Sequence, residues 1–226
     1  MIAIVGSTGL IGNYLKQVIG YTHEFNSCNI SDMPKQAFTK VFVAAPSGNR
    51  LEANANKEKD FENIQFLFEN LRRTSIDSII LIGTVDSILR NNFPYGQNRL
   101  WLEEQILHYF NESYVLRLSA LIHKNIKKNI LYDLKHNLYL DKINLNNVLQ
   151  WYDLNNLDSD IKKIIKNKTQ ITNLVSEPIS NQEIVETFFN NLQLTGYNNN
   201  TAQVSLYPYL YTKQQIFQSM AQYLND

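Results

Sequence analysis

The sequence holds a single cysteine, Cys28, in 226 residues. One thiol excludes an internal disulfide framework and fits a reducing compartment, so a cytoplasmic location is expected. Four histidines, His23, His108, His123 and His136, are scattered singly, and no metal site is expected from them. Neither sign of charge is in excess, since 21 Lys and Arg meet 21 Asp and Glu. That removes the basic footprint of a nucleic-acid binder. No apolar run approaches the roughly 18 residues of a membrane span, and a strand already opens at residue 2, so neither a span nor a leader peptide is expected. Internal repeats and low-complexity linkers are missing as well. With 44% hydrophobic and 19% charged residues, what remains is a globular chain. It is long enough to bury one good core plus a small appendage.

What is present begins at once. Ile2 to Val5 has the length and β-branching of a buried strand. Gly6, Gly9 and Gly12 follow, and Asn13 to Ile19 reads as a helix. Strand, glycine turn and helix in that order make a pyrophosphate site. Gly6 allows the tight turn, Gly9 lets backbone approach the phosphates, and Gly12 lets the helix pack on the strand. Thr8, Leu10 and Ile11 complete the turn, and the helix N-terminus offers free N–H donors.

Tyr21 to Phe25 is short but strand-like. A carboxylate about 20 residues beyond the first glycine commonly holds the adenosine ribose. Here that place falls on Asn26 and Ser27, which would not repel a 2′-phosphate, so NADP is favoured slightly over NAD. Cys28 reads as a small packed residue. Asp32 to Lys40 reads as loop and partial helix, and Val41 to Ala45 as a third strand ending at Ala44 and Ala45. Glu52 to Arg73 reads as one long helix, with Phe61, Ile64, Leu67, Phe68 and Leu71 on a core or subunit-facing stripe. Ser78 to Ile82 is the next strand and closes with Gly83, Thr84, Val85, Asp86 and Ser87. Strands alternating with helices predict an α/β fold with a doubly wound parallel sheet, whose ligands bind at the carboxyl ends of the strands. Gly6, Ala44 and Thr84 stand at such ends.

Pro94 to Arg99 opens a helix running on from Leu100 to Phe110. Tyr95 and Arg99 are four apart and share one helical face. A fixed cation there would lower the tyrosine pKa toward a useful acid or base. The same spacing also describes a plain surface Tyr–Arg pair. Tyr114 to Leu118 is a further strand. Lys124, Lys127 and Lys128 form either a clamp for a phosphorylated substrate or an exposed basic turn. Val148 to Asp153 is strand-like, Leu157 to Lys166 an amphipathic helix and Ile171 to Val175 another strand. Ser180 and Glu183 form a capping box for a helix to about Leu192. A turn over Gly196 to Asn200, a short strand at Val204 to Leu206 and a helix from Gln214 to Leu224 close the chain.

Taken together, these features resemble the extended short-chain dehydrogenase/reductase family of nucleotide-sugar epimerases, dehydratases and reductases. Gly6, Gly9 and Gly12 match its cofactor turn, Ala44-Ala45 a cofactor-lining strand end, and Asn63 an asparagine of the next helix. Gly83-Thr84 falls at its catalytic Ser/Thr position, and Tyr95-Gly96-x-x-Arg99 falls on its Tyr-x-x-x-Lys. Residues 1 to 192 carry the resemblance, more weakly after 120. It implies a Rossmann-type dinucleotide-binding domain over 1–120 and a small C-terminal α/β substrate lobe over 121–226, interleaved with the end of the Rossmann fold. It implies NADP or NAD as cofactor and a sugar or nucleotide-sugar as small-molecule substrate. Tyr95 is then the general acid/base and Thr84 orients the substrate oxygen, with Ser87 in reserve. Arg99 holds the ribose and biases Tyr95 toward phenolate, while Lys127 and Lys128 contact a substrate phosphate. A homodimer is expected through the helices 52–73 and 98–110. Two departures stand out: arginine replaces the lysine, which is not a conservative exchange, and only 10 residues separate Thr84 from Tyr95. Both leave room for another expectation, a catalytically weak NAD(P)-binding sensor or scaffold.

Overall fold

The apolar run Ile2–Val5 forms β1, and the glycine turn leads into α1 (Leu10–Val18). The computed structural model describes residues 1–192, 194 and 205–226. β2 (His23–Phe25), a 3₁₀ turn over Ile30–Lys35 and β3 (Lys40–Val43) follow. The helix expected from Glu52 to Arg73 is two helices, α2 (Arg50–Ala55) and α3 (Lys57–Arg72). They meet at Asn56, whose backbone leaves the helical region at φ −130° and ψ 60° and whose side-chain amide donates to the Glu52 carbonyl. Such a local bond competes with helix continuation.

Next come β4 (Ile79–Thr84), the single turn α4 (Asp86–Leu89), α5 (Pro94–Tyr109) and β5 (Ser113–Leu118). Proline at the first position of α5 loses no hydrogen bond, because that N–H has no intrahelical partner. A short strand at Ala120–Ile122 and α6 (Ile130–Lys135) are followed by short strands at Val148–Leu149 and Trp151–Asp153. Then come α7 (Leu157–Asn167), β6 (Ile171–Leu174), a strand at Ile179–Ser180, α8 (Asn181–Phe188) and α9 (Lys213–Asn225). The large sheet has the strand order β6-β5-β4-β3-β1-β2, a parallel six-stranded sheet flanked by helices. This is the expected α/β Rossmann-type fold.

The chain divides into two units, residues 1–117 with 158–172, and residues 118–157 with 173–226. In the first, Val41, Val43, Ile79 and Leu81 of the sheet cluster with Ile64, Leu67, Phe68 and Leu71 of α3 and with Leu102 and Ile106 of α5. The apolar stripe of α3 is therefore core, and each such side chain contributes about 1.5–3 kcal/mol by leaving water. Phe61 and Phe68 both meet the Trp101 ring edge-on. A two-stranded parallel pair, Ala37–Phe38 with Ser75–Ile76, had no clear signature in the sequence.

In the second unit, Trp151–Asp153 runs parallel to Ala120–Ile122, and Ile179–Ser180 runs antiparallel to Val148–Leu149. The single strand expected over Val148 to Asp153 is thus split at Gln150. Its amide donates to the carbonyls of Ser176 and Leu206 and accepts from the Leu206 N–H. That amide, rather than a ladder, holds Leu206, so no strand forms at Ser205–Leu206. The Ser180–Glu183 capping box is present, but α8 stops at Phe188, earlier than expected. A second capping box, Thr212 with Gln215, starts α9. The turn expected over 196–200 and the start of the strand expected at Val204 lie outside the described residues. Cys28, read as a packed residue, is exposed. Among the described residues no helix is long and apolar enough to cross a membrane.

Candidate active site

Three strand ends meet at the glycine turn. The Gly6 and Ser7 amides donate to the Phe25 carbonyl at the end of β2, and Ala44 N–H donates to Val5 O. Gly6 sits at φ +84°, where a Cβ would lie 2.5 Å from the Ala44 carbonyl oxygen. A Cβ on Gly12 would come within 2.1 Å of Gly6 O. Both glycines are demanded by the protein's own packing. Gly9 differs: its Cβ would meet only Gly6 O, at an ordinary 3.6 Å. Gly9 is also the N-cap of α1, with no side-chain cap and no acidic residue in the first turn. An uncapped helix start beneath open space is a fitting seat for a phosphate. Thr8 is exposed, Leu10 and Ile11 are half-buried, and Ala44 and Ala45 are half-buried beside the turn.

Asn26 and Ser27 follow β2 directly. Asn26 Oδ1 accepts from the Cys28 N–H, and Asn29 Oδ1 accepts from the Asn26 N–H, which shapes a compact polar turn. Glu24, the nearest carboxylate, is paired with Lys16 at 3.0 Å.

Thr84 ends β4, and Tyr95 and Arg99 occupy the first two turns of α5. Two close approaches set these elements together. A Cβ on Gly96 would lie 2.3 Å from Arg90 O and 2.5 Å from Asp86 O, so the start of α5 rests on the backbone of the preceding turn. A Cβ on Gly83 would lie 2.9 Å from Glu103 Oε1. Thr84 Oγ1 accepts the Asp86 N–H, which leaves its own hydroxyl proton to be donated elsewhere. The Tyr95 N–H donates to Asn54 Oδ1 of α2.

Tyr95 is 8% exposed, and the Arg99 guanidinium lies over its ring, 4.0 Å from the centroid. Arg99 Nη1 pairs with the Asp60 carboxylate and Nη2 donates to Ser47 O at 2.6 Å. Asn98 Nδ2 also donates to Asp60 Oδ2. Arg99 pulls the Tyr95 pKa down, as expected, but it does not set the net direction. Burial pushes it up and outweighs the opposing pull of Arg99 and Arg50, with Asp86 and Asp60 adding to the rise. The assignment of Arg99 to a ribose also meets an occupied side chain, since both terminal nitrogens are engaged within the protein.

Ser87, the reserve hydroxyl, is corrected too. It is fully buried and donates to the Thr84 carbonyl, so it supports the strand end and does not face a substrate. Lys127 and Lys128 are exposed and belong to the second unit. Asn63 lines a cavity of about 70 Å³ with Ser47, Asn49 and Asp60.

Sequence reading missed three charged partners. Asp60 pairs with Arg99 across 39 positions, and no local pattern announces it. Arg50 Nε lies 2.5 Å from the buried Asp86 carboxylate, and its guanidinium is 5.9 Å from the Tyr95 ring centroid. Glu103 is fully buried and takes two contacts of 2.8 Å from Arg117. Burial holds its carboxyl above the usual range, against the pull of Arg117 and Ser87. Glu103 stands four residues beyond Arg99 on the Tyr95 face, so its spacing did carry a signal.

Solved structures share this architecture. MoeE5, solved with UDP-glucose and NAD, aligns over 99% of this chain and 97% of its own at 12% identity and a TM-score of 0.74. UDP-glucose 4-epimerase of Thermotoga maritima, solved with UDP-glucose, aligns over 92% and 90% at 13% identity and a TM-score of 0.69. The dTDP-4-dehydrorhamnose reductase of Bacillus anthracis, in complex with NADP, aligns over 99% and 95% at 14% identity and a TM-score of 0.68. The chain has the fold of these proteins. The second is by name an epimerase and the third a reductase, and such neighbours are of the extended short-chain dehydrogenase/reductase type. By sequence, the chain matches no protein-family model and no curated protein.

Proposed function

We propose that this chain is an NAD(P)-dependent oxidoreductase or epimerase acting on a hydroxyl or carbonyl of a sugar or nucleotide-sugar. The observation that carries the reading is the turn at Gly9: its neighbours leave space above an uncapped helix start, and the strand ends of β2, β3 and β4 converge on the same edge of the sheet. Gly6, Thr8, Gly9, Leu10, Ile11 and Gly12 would surround the pyrophosphate, Asn26 and Ser27 the adenosine ribose, and Ala44 and Ala45 the middle of the cofactor. When bound, the nicotinamide supplies or accepts hydride. Tyr95 moves the proton at the substrate oxygen, and Thr84 donates a hydrogen bond that orients it. Residues 121–226 contribute the substrate lobe, with Lys127 and Lys128 available to a phosphate.

Because Gly9 is not required by packing, Gly9→Ala is expected to fold with unchanged stability yet lose nucleotide affinity by tenfold or more, roughly 1.4 kcal/mol. Fluorescence titration with NADPH and NADH beside thermal melts checks this. Wild type should take NADPH somewhat more tightly than NADH, since the neutral Asn26 and Ser27 follow β2 and the nearest carboxylate, Glu24, is paired with Lys16. Failure to bind either at millimolar concentration would remove the cofactor reading.

The exposed thiol of Cys28 suits a cytoplasmic setting. A homodimer through α3 and α5 is also proposed, because Phe66 and Tyr109 are about half exposed on these helices, at 51% and 49%. Sedimentation at micromolar concentration is expected to give a dimer, and a monomer would contradict it.

One observation favours a second reading, a cofactor-binding sensor or scaffold with little turnover: Arg99 is engaged by Asp60 and Ser47. Turnover of NAD(P)H with keto-sugar nucleotides by the wild type decides against that reading, and silence with retained binding decides for it.

A further inference from the structure

Both cations facing Tyr95 are already held by carboxylates. The Arg99 guanidinium lies over the ring, paired with Asp60, whose side chain is only 11% exposed. Arg50, the second cation near the ring, is bound to Asp86, and Arg90 approaches the same carboxylate at 3.7 Å. A guanidinium stacks on an aromatic face while a carboxylate takes its edge, a geometry that a lysine ammonium cannot reproduce. Among the described residues, no side chain hydrogen-bonds to the Tyr95 hydroxyl. A phenolate at Tyr95 would therefore find its nearest cation, Arg99, already paired with Asp60, whereas the phenol keeps its proton at little cost.

We propose that Asp60 is a positioning residue that holds Arg99 over the Tyr95 ring and cancels its charge, so that Tyr95 is presented as a proton donor and the site is set to reduce a carbonyl. The inference rests on Tyr95 standing in the nicotinamide site. In such a step the carbonyl carbon gains hydride from the reduced cofactor and its C=O π bond breaks. The carbonyl oxygen takes the Tyr95 Oη proton to form the new O–H bond, and the phenolate left behind is reprotonated from water. The substrate class is thus a keto-sugar or its nucleotide derivative, and the product an alcohol. The raised pKa of Tyr95, caused first by burial, agrees with this.

The test is a tyrosinate titration by near-ultraviolet absorbance, with Tyr95→Phe subtracted from wild type, and a parallel titration with NADH and NADPH. The expected result is no Tyr95-dependent signal until above the ordinary tyrosine range, about pH 10. In Asp60→Asn the Tyr95 signal should move to lower pH. A wild-type signal below the ordinary range overturns the proposal, as does a folded Asp60→Asn whose signal stays in place. Should that variant fail to fold, an early wild-type phenolate still overturns the proposal, and Asp60→Glu, which keeps the counter-charge, upholds it by leaving the signal in place and overturns it by moving the signal to lower pH. Failure to bind NADH and NADPH overturns both this inference and the proposed function. Binding together with an early-titrating Tyr95 overturns this inference alone.

Discussion

Tyr95→Phe is expected to lower turnover about 10²–10⁴-fold, the usual contribution of a positioned acid or base, with NADPH affinity unchanged. The Tyr95 ring is buried, carries Arg99 on one face, and anchors the start of α5 through its N–H to Asn54. Phenylalanine keeps the ring and the backbone bond and removes only the proton-bearing oxygen. Steady-state kinetics beside fluorescence titration separates the two effects, and a variant as active as wild type would take Tyr95 out of the chemistry. The pH profile adds a sign. A donor pKa raised by burial keeps Tyr95 protonated through neutral and mildly alkaline pH, so reduction should fall off only above the ordinary tyrosine range. A decline beginning near neutrality would mean that another group limits the rate.

The second large effect is on stability. Asp60→Asn is expected to cost about 3–5 kcal/mol, because it leaves the buried Arg99 guanidinium without a counter-charge. That is a large share of the 5–15 kcal/mol typical of a whole domain. Replacing both partners by apolar residues, Asp60→Leu with Arg99→Met, is expected to recover much of the loss, since neither charge then has to be kept out of water. Urea denaturation of Asp60→Asn measures the loss, and that of Asp60→Leu, Arg99→Met and the double variant measures the coupling. Additive losses would show that the pair does not act as a unit.

Local physics made some parts legible and left others silent. The β-branched run Ile2–Val5, the glycine spacing and the alternation of strand with helix are written in neighbouring residues, so the fold and its strand–turn–helix start could be read directly. Pro94 and the Ser180–Glu183 box likewise announce helix starts through adjacent chemistry. Asp60 could not be read in this way. Its partner lies 39 residues away, and the pair exists only because the α3 stripe packs on α5. The break at Asn56 was hidden for another reason: the apolar periodicity of α3 continues past it, while a single side-chain amide decides the backbone. Ser87 looked available because a hydroxyl after a strand end usually is. Its burial follows from α4 packing on α5, where Ser87 meets Glu103.

Asp60 belongs to α3 and Arg99 to α5, the two helices through which a homodimer is proposed. A slide of one helix along the other alters the charge balance above the Tyr95 ring. If the proposed dimer forms through these helices, assembly and proton donation would share one mechanical element.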